Sequence, residues 1–353
     1  MPVLTRLIPS PVVVDIRAGA LDDLATVLAD QRLSTSGRIA VAVSGGSGAA
    51  LRGRLEPQLP GADWYSVADG TLDSAVLLAD AVRAGHYDAM VGLGGGKVID
   101  AAKYAAARVG LPMVAVATNL AHDGICSPVS TLDNDAGRGS YGVPNPIGII
   151  VDLDVIRSAP KRFVAAGIGD AISNISACAD WELSQRVTRE PVDGLAIAMA
   201  RSAGEVLLRH PGTLEDTELL TALAESLVLS GISMNIAGST RPSSGACHEI
   251  SHALDILYPK RSAQHGEQVG IGAAFATFLR GDREGSGLIV QTLARHGLPV
   301  TAEEIGFSEE EFTAAVHYAP QTRPGRFTIL EHLDLDTSAI RDAYSDYVHA
   351  VNS

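Results

Sequence analysis

Tyr87–Leu93 (YDAMVGL) runs directly into Gly94-Gly95-Gly96-Lys97-Val98-Ile99-Asp100, and Val98–Arg108 then carries apolar residues at helical spacing. The order is a short apolar strand, a glycine turn and a helix. Glycines at such a turn let the backbone approach a pyrophosphate, and the helix start offers unpaired N–H groups and a positive dipole end. The spacing is not GxGxxG, because Lys97 takes the third glycine position, and no GK[ST] follows to make a P-loop. On pattern alone, a nucleotide seat and a plain tight turn are equally good readings.

Outward from this turn the same rhythm repeats. Ala20–Gln31 reads as a helix, Arg38–Val43 as a strand ending in Ser44-Gly45-Gly46-Ser47-Gly48, and Asp73–Arg83 as a helix. Pro112–Ala117 and Pro146–Asp152 read as further strands, with the Gly-, Ser-, Asp- and Pro-rich stretch Leu120–Asn145 as a loop between them. Apolar strands alternating with helices predict a parallel sheet covered on both faces. From Arg162 onward the pattern is helical, with long segments at Glu190–Leu208 and Asp216–Asn235. The expected organisation is a nucleotide-type domain over residues 1–160 and a helical domain over residues 161–353, with a cleft between them.

The whole composition narrows the function. In 353 residues, 27 Lys+Arg stand against 41 Asp+Glu, a net charge of −14, with 46% hydrophobic and 19% charged residues. That is a folding chain rather than a disordered one. The acidic balance disfavours nucleic-acid binding, which neutralises phosphates with Lys and Arg, but a small anionic substrate needs only a few local cations. No run approaches the roughly 18 uninterrupted apolar residues of a membrane span. The N-terminal MPVLTRLIPSPVVVDIRAG meets Asp15 too early for a secretion signal. Three cysteines (Cys126, Cys178, Cys247) without a CxxC pair predict a reducing, cytoplasmic setting rather than a disulfide framework.

Metal-type residues gather in the helical half. Asp170 lies in Gly167-Ile168-Gly169-Asp170, at the expected start of a helical stretch. His248 and His252 are four apart and share a helix face. His265 opens another helix in His265-Gly266-Glu267-Gln268. One carboxylate and two imidazoles with a coordination place left over is the usual provision for a catalytic divalent metal. Taken singly, each histidine is better explained as a satisfied core or surface residue than as a ligand, and Asp170 alone could be a helix N-cap.

Together these pieces resemble the sn-glycerol-1-phosphate dehydrogenases, within the group of iron-containing alcohol dehydrogenases, glycerol dehydrogenases and dehydroquinate synthases. The match is carried by Gly94-Gly95-Gly96-Lys97-Val98-Ile99-Asp100, Ala117-Thr118-Asn119-Leu120-Ala121-His122-Asp123-Gly124, Ser127-Pro128, Gly169-Asp170, Arg241-Pro242-Ser243-Ser244-Gly245 through His248 and His252, and His265-Gly266-Glu267-Gln268. The resemblance implies an α/β N-terminal Rossmann-like domain, an all-α C-terminal domain and an active site in the interdomain cleft. It implies NAD or NADP on Gly94, Gly95, Gly96, Lys97, Val98, Thr118, Asn119, Leu120, Ala121 and Ser127. It implies Zn2+ or another divalent metal on Asp170, His248 and His265. Asp123, Asp170 and His252 would meet the substrate and carry the catalysis. Where iron-type alcohol dehydrogenases place a histidine four residues after the ligand aspartate, this chain has Asn174, and fewer nitrogen ligands favour zinc or a labile ion over tightly held iron. Dehydroquinate synthases use glutamate where this chain has Asp170.

The implied reaction is reduction of dihydroxyacetone phosphate to sn-glycerol 1-phosphate. The phosphate calls for cations, and Arg241 is the foremost candidate, ahead of Lys161, Arg162, Lys260 and Arg261, which are better read as solvated surface charge. No acidic residue stands in Ser44–Gly48 to repel a 2′-phosphate, so use of both NADH and NADPH is expected. The expected partners are a small phosphorylated substrate and other copies of the chain, with no nucleic acid and no membrane. Another small phosphorylated or phosphonylated carbonyl compound, a polyol, a dehydroquinate-synthase-like cyclisation and a non-catalytic binding role use overlapping residues and stay open at this point.

Overall fold

A computed structural model describes Ser10–Asn352 apart from Ala136 and Ser262; the N-terminal run as far as Pro9 lies outside the described residues. The chain divides into two compact units. The first comprises the described residues up to Asn119, Gly124–Ala159 and Met234–Gly238; the second comprises Leu120–Asp123, Pro160–Ser233 and Ser239 onward.

The first unit is built on a six-stranded sheet. Its strands are β1 (Val13–Arg17), β2 (Ile39–Ser44), β3 (Asp63–Val67), β4 (Ala89–Gly94), β5 (Met113–Ala117) and β8 (Gly148–Asp152). They lie in the order β1-β8-β5-β4-β2-β3 with every pairing parallel. The helices are α1 (Leu24–Leu28), α2 (Ser47–Leu55), α3 (Leu72–Arg83), α4 (Gly96–Val109) and α5 (Leu153–Ser158). Strands β4, β5 and β8 are buried throughout, as parallel strands covered on both faces must be. One part of the core joins Leu21, Leu24 and Leu28 to Val41, Val91, Val114 and Ile150.

The topology says where a ligand belongs. From β2 the chain goes to β3 on one side and then to β4 on the other. A crevice opens outside the carboxyl ends of strands at such a reversal, and that is where α/β sheets bind dinucleotides. The two glycine loops, Ser44–Gly48 and Gly94–Gly96, end the two strands flanking the reversal.

The expected loop Leu120–Asn145 contains a hairpin, β6 (Val129–Asn134) against β7 (Gly137–Gly142). Its second strand, GRGSYG, is nearly all exposed or half-exposed, so it carries no apolar alternation to read. The expected helix Ala20–Gln31 is shorter, a 3₁₀ turn at Ala20–Asp23 followed by α1.

The second unit is helical: α6 (Lys161–Thr188), α7 (Gly194–Arg209), α8 (Thr217–Ala237, its last four residues in the first unit), α9 (Ala246–Leu257), α10 (His265–Leu279), α11 (Arg283–Arg295), α12 (Glu309–Tyr318), α13 (Ile329–Leu333) and α14 (Thr337–Val351). Among the described residues α8 alone is long and apolar enough to cross a membrane, and 61% of its apolar window is buried in the fold, as in the core helix of a globular protein. Asp170 does not start a helix; it sits ten residues into the 28-residue α6, because the helix begins at once after Pro160, whose fixed φ suits a helix entrance.

Candidate functional site

Helices α6, α10 and α9 meet at glycines. A Cβ at Gly266 would overlap the Ala166 carbonyl, one at Gly169 the Gly266 carbonyl, and one at Gly272 would stand 2.8 Å from the Cys247 carbonyl oxygen. Only glycine permits backbones this close. The approach carries Asp170 of α6 up against His265, the first residue of α10, and His248 of α9. Gly167 does the same for Leu120, whose carbonyl fills the space of the missing Cβ.

The donor atoms of Asp170, His248 and His265 lie within 4.8 Å of one another. Asp170 Oδ2 accepts the Asp123 N–H at 2.8 Å. Its Oδ1 stands 3.6 Å from His265 Nε2 and 3.9 Å from His248 Nε2. Both rings are turned this way by contacts at their other nitrogen: His248 Nδ1 lies 3.3 Å from Cys247 Sγ, and His265 Nδ1 lies 3.4 Å from Ser251 Oγ. Ser251 Oγ in turn donates to Gln268 Oε1. Contacts at the remote nitrogen are how metal-binding histidines are oriented.

The electrostatics of this cluster fit a cation. Burial pushes the Asp170 carboxyl well above the usual carboxylate range, the Asp123 charge pushes it further, and the Asp123 N–H opposes both. Burial pushes the His248 imidazole well below its usual value, with His265, His252 and two arginines adding to the effect. Among the described residues, the groups of opposite sign near Asp170 are those two imidazoles alone. A buried carboxylate beside a second carboxylate, faced by a His248 ring that burial holds neutral, lacks positive charge. A divalent cation on Asp170, His248 and His265 supplies it, and neutral imidazole is the form that ligates.

Around this cluster, Asp123 Oδ2 accepts from Ser230 Oγ at 2.8 Å, and Ser230 Oγ is 2.9 Å from Ser243 Oγ in the Arg241–Gly245 run. Asn174, one turn beyond Asp170, faces Ser230 Oγ at 3.5 Å and is not part of the donor set. His252, one turn beyond His248, has its Nε2 3.0 Å from Arg323 Nη2. A guanidinium only donates, so Nε2 accepts and the ring proton sits on Nδ1.

In the first unit the glycine turn is open where a phosphate would come. Gly95 caps α4 without a side chain. A Cβ there would stand 2.5 Å from Asn119 Nδ2, and one at Gly94 2.8 Å from Val98 Cβ. The Thr118 N–H donates to the Gly94 carbonyl, which lays Thr118 and Asn119 along the turn. Lys97 is exposed, its stem over Gly70. Ser127 is buried; its carbonyl accepts from the buried Lys103, which pairs with Asp100 at 2.9 Å. Leu120 and Ala121, also expected at the cofactor, belong to the second unit.

Arg241 needs correcting. Its guanidinium is buried and fully engaged, paired through Nε and Nη2 with Glu190 and donating to the Phe327 carbonyl and Ser184 Oγ. A phosphate would have to displace all of these, so Arg241 is a structural residue. Arg162 grips Glu267, whose carboxylate accepts the Gln264 N–H in the capping box that starts α10 at His265. Lys161 pairs with Glu215 and Arg261 with Glu311, both exposed, and Lys260 is exposed. Ser230 and Arg323, which contact Asp123 and His252, were not singled out in the sequence, because nothing local to them marks those contacts.

A family model described as iron-containing alcohol dehydrogenase matches residues 15–160. A glycerol-1-phosphate dehydrogenase (NAD(P)+) of Methanospirillum hungatei is 37% identical over 319 residues, 88% of this chain and 86% of the relative. This chain belongs to the glycerol-1-phosphate dehydrogenase family. A second member so named, from Methanothermobacter thermautotrophicus, is 35% identical over 318 residues, 88% of this chain and 90% of its own. The fold of these dehydrogenases is shared more widely: glycerol dehydrogenase of Schizosaccharomyces pombe superposes with a TM-score of 0.78 at 22% identity, over 99% of this chain and 91% of that one.

Proposed function

We propose that this chain reduces dihydroxyacetone phosphate to sn-glycerol 1-phosphate with NADH or NADPH and a divalent metal. The observation that carries the reading is the Asp170–His248–His265 donor set, with its carboxylate buried, in a chain whose relatives over most of its length bear that name. When bound, the metal polarises a carbonyl as a Lewis acid, and the nicotinamide provides the hydride.

The chain's own residues do the rest. The N–H groups at the start of α4, presented by Gly94, Gly95 and Gly96, seat the cofactor pyrophosphate. Asp123, held by Ser230, accepts a substrate hydroxyl. His252 keeps Nε2 on Arg323, so it offers its Nδ1–H to the substrate as a hydrogen-bond donor. Acid-free Ser44–Gly48 leaves room for the 2′-phosphate of NADPH. The same reading puts the protein in the cytoplasm, consistent with three buried free cysteines, and as an assembly of identical chains.

The test is oxidation of NADH and of NADPH, followed by absorbance, with dihydroxyacetone phosphate and with other small phosphorylated or phosphonylated carbonyl compounds. The product is then offered to a stereospecific glycerol-3-phosphate dehydrogenase. The reading expects turnover with both cofactors and a product that this second enzyme ignores. A product it consumes, or turnover with another carbonyl compound alone, contradicts the reading.

A further inference from the structure

Of the cations expected to meet a substrate phosphate, Arg241, Arg162, Lys161 and Arg261 are paired with carboxylates and Lys260 is exposed, yet the helical unit holds two guanidinium groups that no acid neutralises. Arg323 follows the 3₁₀ turn Ala319–Thr322 and is half-buried. Its side chain makes one hydrogen bond among the described residues, to His252 Nε2 at 3.0 Å. Arg326, three residues on, donates to the Ser244 carbonyl and to Thr240 Oγ1 at 2.9 Å, both uncharged. Neither has a carboxylate within ion-pair distance among the described residues, unlike Arg162, Arg241, Arg261 and Arg280, each of which is paired with a Glu or Asp. Glu249 also faces the pair, but its Oε2 is engaged by Thr328 Oγ1 at 3.1 Å.

Two half-buried, adjacent, unneutralised cations are costly to hold unless an anion arrives. Burial pushes Arg326 down to about 10, with Arg241 and Arg323 repelling it further, and burial lowers Arg323 as well. The location is specific. His248 and His252 stand one turn apart on α9, about 5.4 Å, and Arg323, from the segment after the 3₁₀ turn, meets the second of them at 3.0 Å. A small ketone with its carbonyl at Asp170, His248 and His265 has its far end near Arg323, whose Nε and Nη1 are not engaged.

We propose that Arg323 binds the phosphate group of the substrate through its guanidinium fork, with Arg326 supplying the second positive charge that matches a phosphate dianion. A fork of parallel N–H donors suits phosphate oxygens better than a point charge does. The arrangement also couples recognition to catalysis, because the residue that reads the phosphate holds His252. The inference rests on dihydroxyacetone phosphate being the substrate, and its test separates the two claims.

The test compares kcat/KM for dihydroxyacetone phosphate and for uncharged dihydroxyacetone in the unaltered enzyme, Arg323→Gln and Arg323→Lys. It also measures the rise in Tm that inorganic phosphate gives each protein. Glutamine keeps an N–H donor but carries no charge. Discrimination in favour of the phosphorylated substrate should fall on the order of 10- to 100-fold in Arg323→Gln, less in Arg323→Lys, and the phosphate-induced rise in Tm should vanish with it. If Arg323→Gln does not fold, Arg323→Lys carries the comparison, with discrimination reduced and the phosphate effect weakened. An equal fall for both substrates, or an undiminished phosphate effect in the variants, overturns the proposal and makes Arg323 a positioning residue for His252. If the unaltered enzyme does not reduce dihydroxyacetone phosphate but loses phosphate stabilisation in Arg323→Gln, the anion seat stands and the substrate assignment fails.

Discussion

The glycine turn after β4 and the cluster on α6, α9 and α10 both use glycine, to different ends. At Gly94–Gly96 the glycines are the site, clearing backbone N–H groups for a ligand. At Gly167, Gly169 and Gly266 they lie behind the site, letting helix backbones touch so that Asp170, His248 and His265 converge. A backbone seat is set by a few neighbouring residues and tolerates what surrounds it. A seat of side chains from three helices depends on packing far along the chain.

That difference can be broken most sharply at Asp170. Asp170→Asn should leave the fold and dinucleotide binding intact while lowering turnover about a thousandfold or more, since a Lewis acid contributes several kcal/mol. Metal content and a dinucleotide titration, measured on the same sample, check it. Loss of dinucleotide binding as well would mean the two seats are not separable. The converse change, Gly95→Ala, places a Cβ 2.5 Å from Asn119 Nδ2. It should raise the Kd for NADH roughly tenfold, the effect of about 1.4 kcal/mol of misfit, with metal content unaltered.

A smaller change tests how the side-chain seat is braced. Ser251→Ala removes the hydroxyl beside His265 Nδ1 and should weaken zinc about tenfold, at the low end for such outer contacts, as read by competition with a chromophoric chelator. The smallest effect belongs to His296, whose Nε2 has no partner among the described residues and which burial pushes down to about 4. The unfolded chain takes up a proton near pH 6.5 that the folded chain refuses until about pH 4. Stability is therefore full above 6.5 and declines as pH falls between those values. His296→Gln should flatten that part of the Tm–pH curve without touching metal affinity.

The same contrast explains what the sequence disclosed. The glycine turn was legible because strand, glycines and helix are contiguous, and β2, β4, β5 and β8 because buried parallel strands are apolar throughout. The metal residues were legible by type and spacing, His248 and His252 on one face and His265 at a helix start. Asp170 was grouped with the right histidines but misplaced in its helix, since no cap marks residue 170. Arg241 was misread because its partner Glu190 lies 51 residues away. Arg323 was missed for the mirror-image reason: in Gln321-Thr322-Arg323-Pro324-Gly325-Arg326 it looks like an exposed turn, and only the fold shows that no acid meets it. Whether an arginine is spent or available is a property of tertiary packing.

The most direct test of the central claim is reduction of dihydroxyacetone phosphate by the purified protein before chelation, after chelation, and after zinc is restored, with Asp170→Asn as the control. The account predicts activity that disappears with the metal, returns with zinc and does not return in Asp170→Asn. Full activity in a protein shown to be free of metal, or equal restoration by zinc in Asp170→Asn, would contradict it.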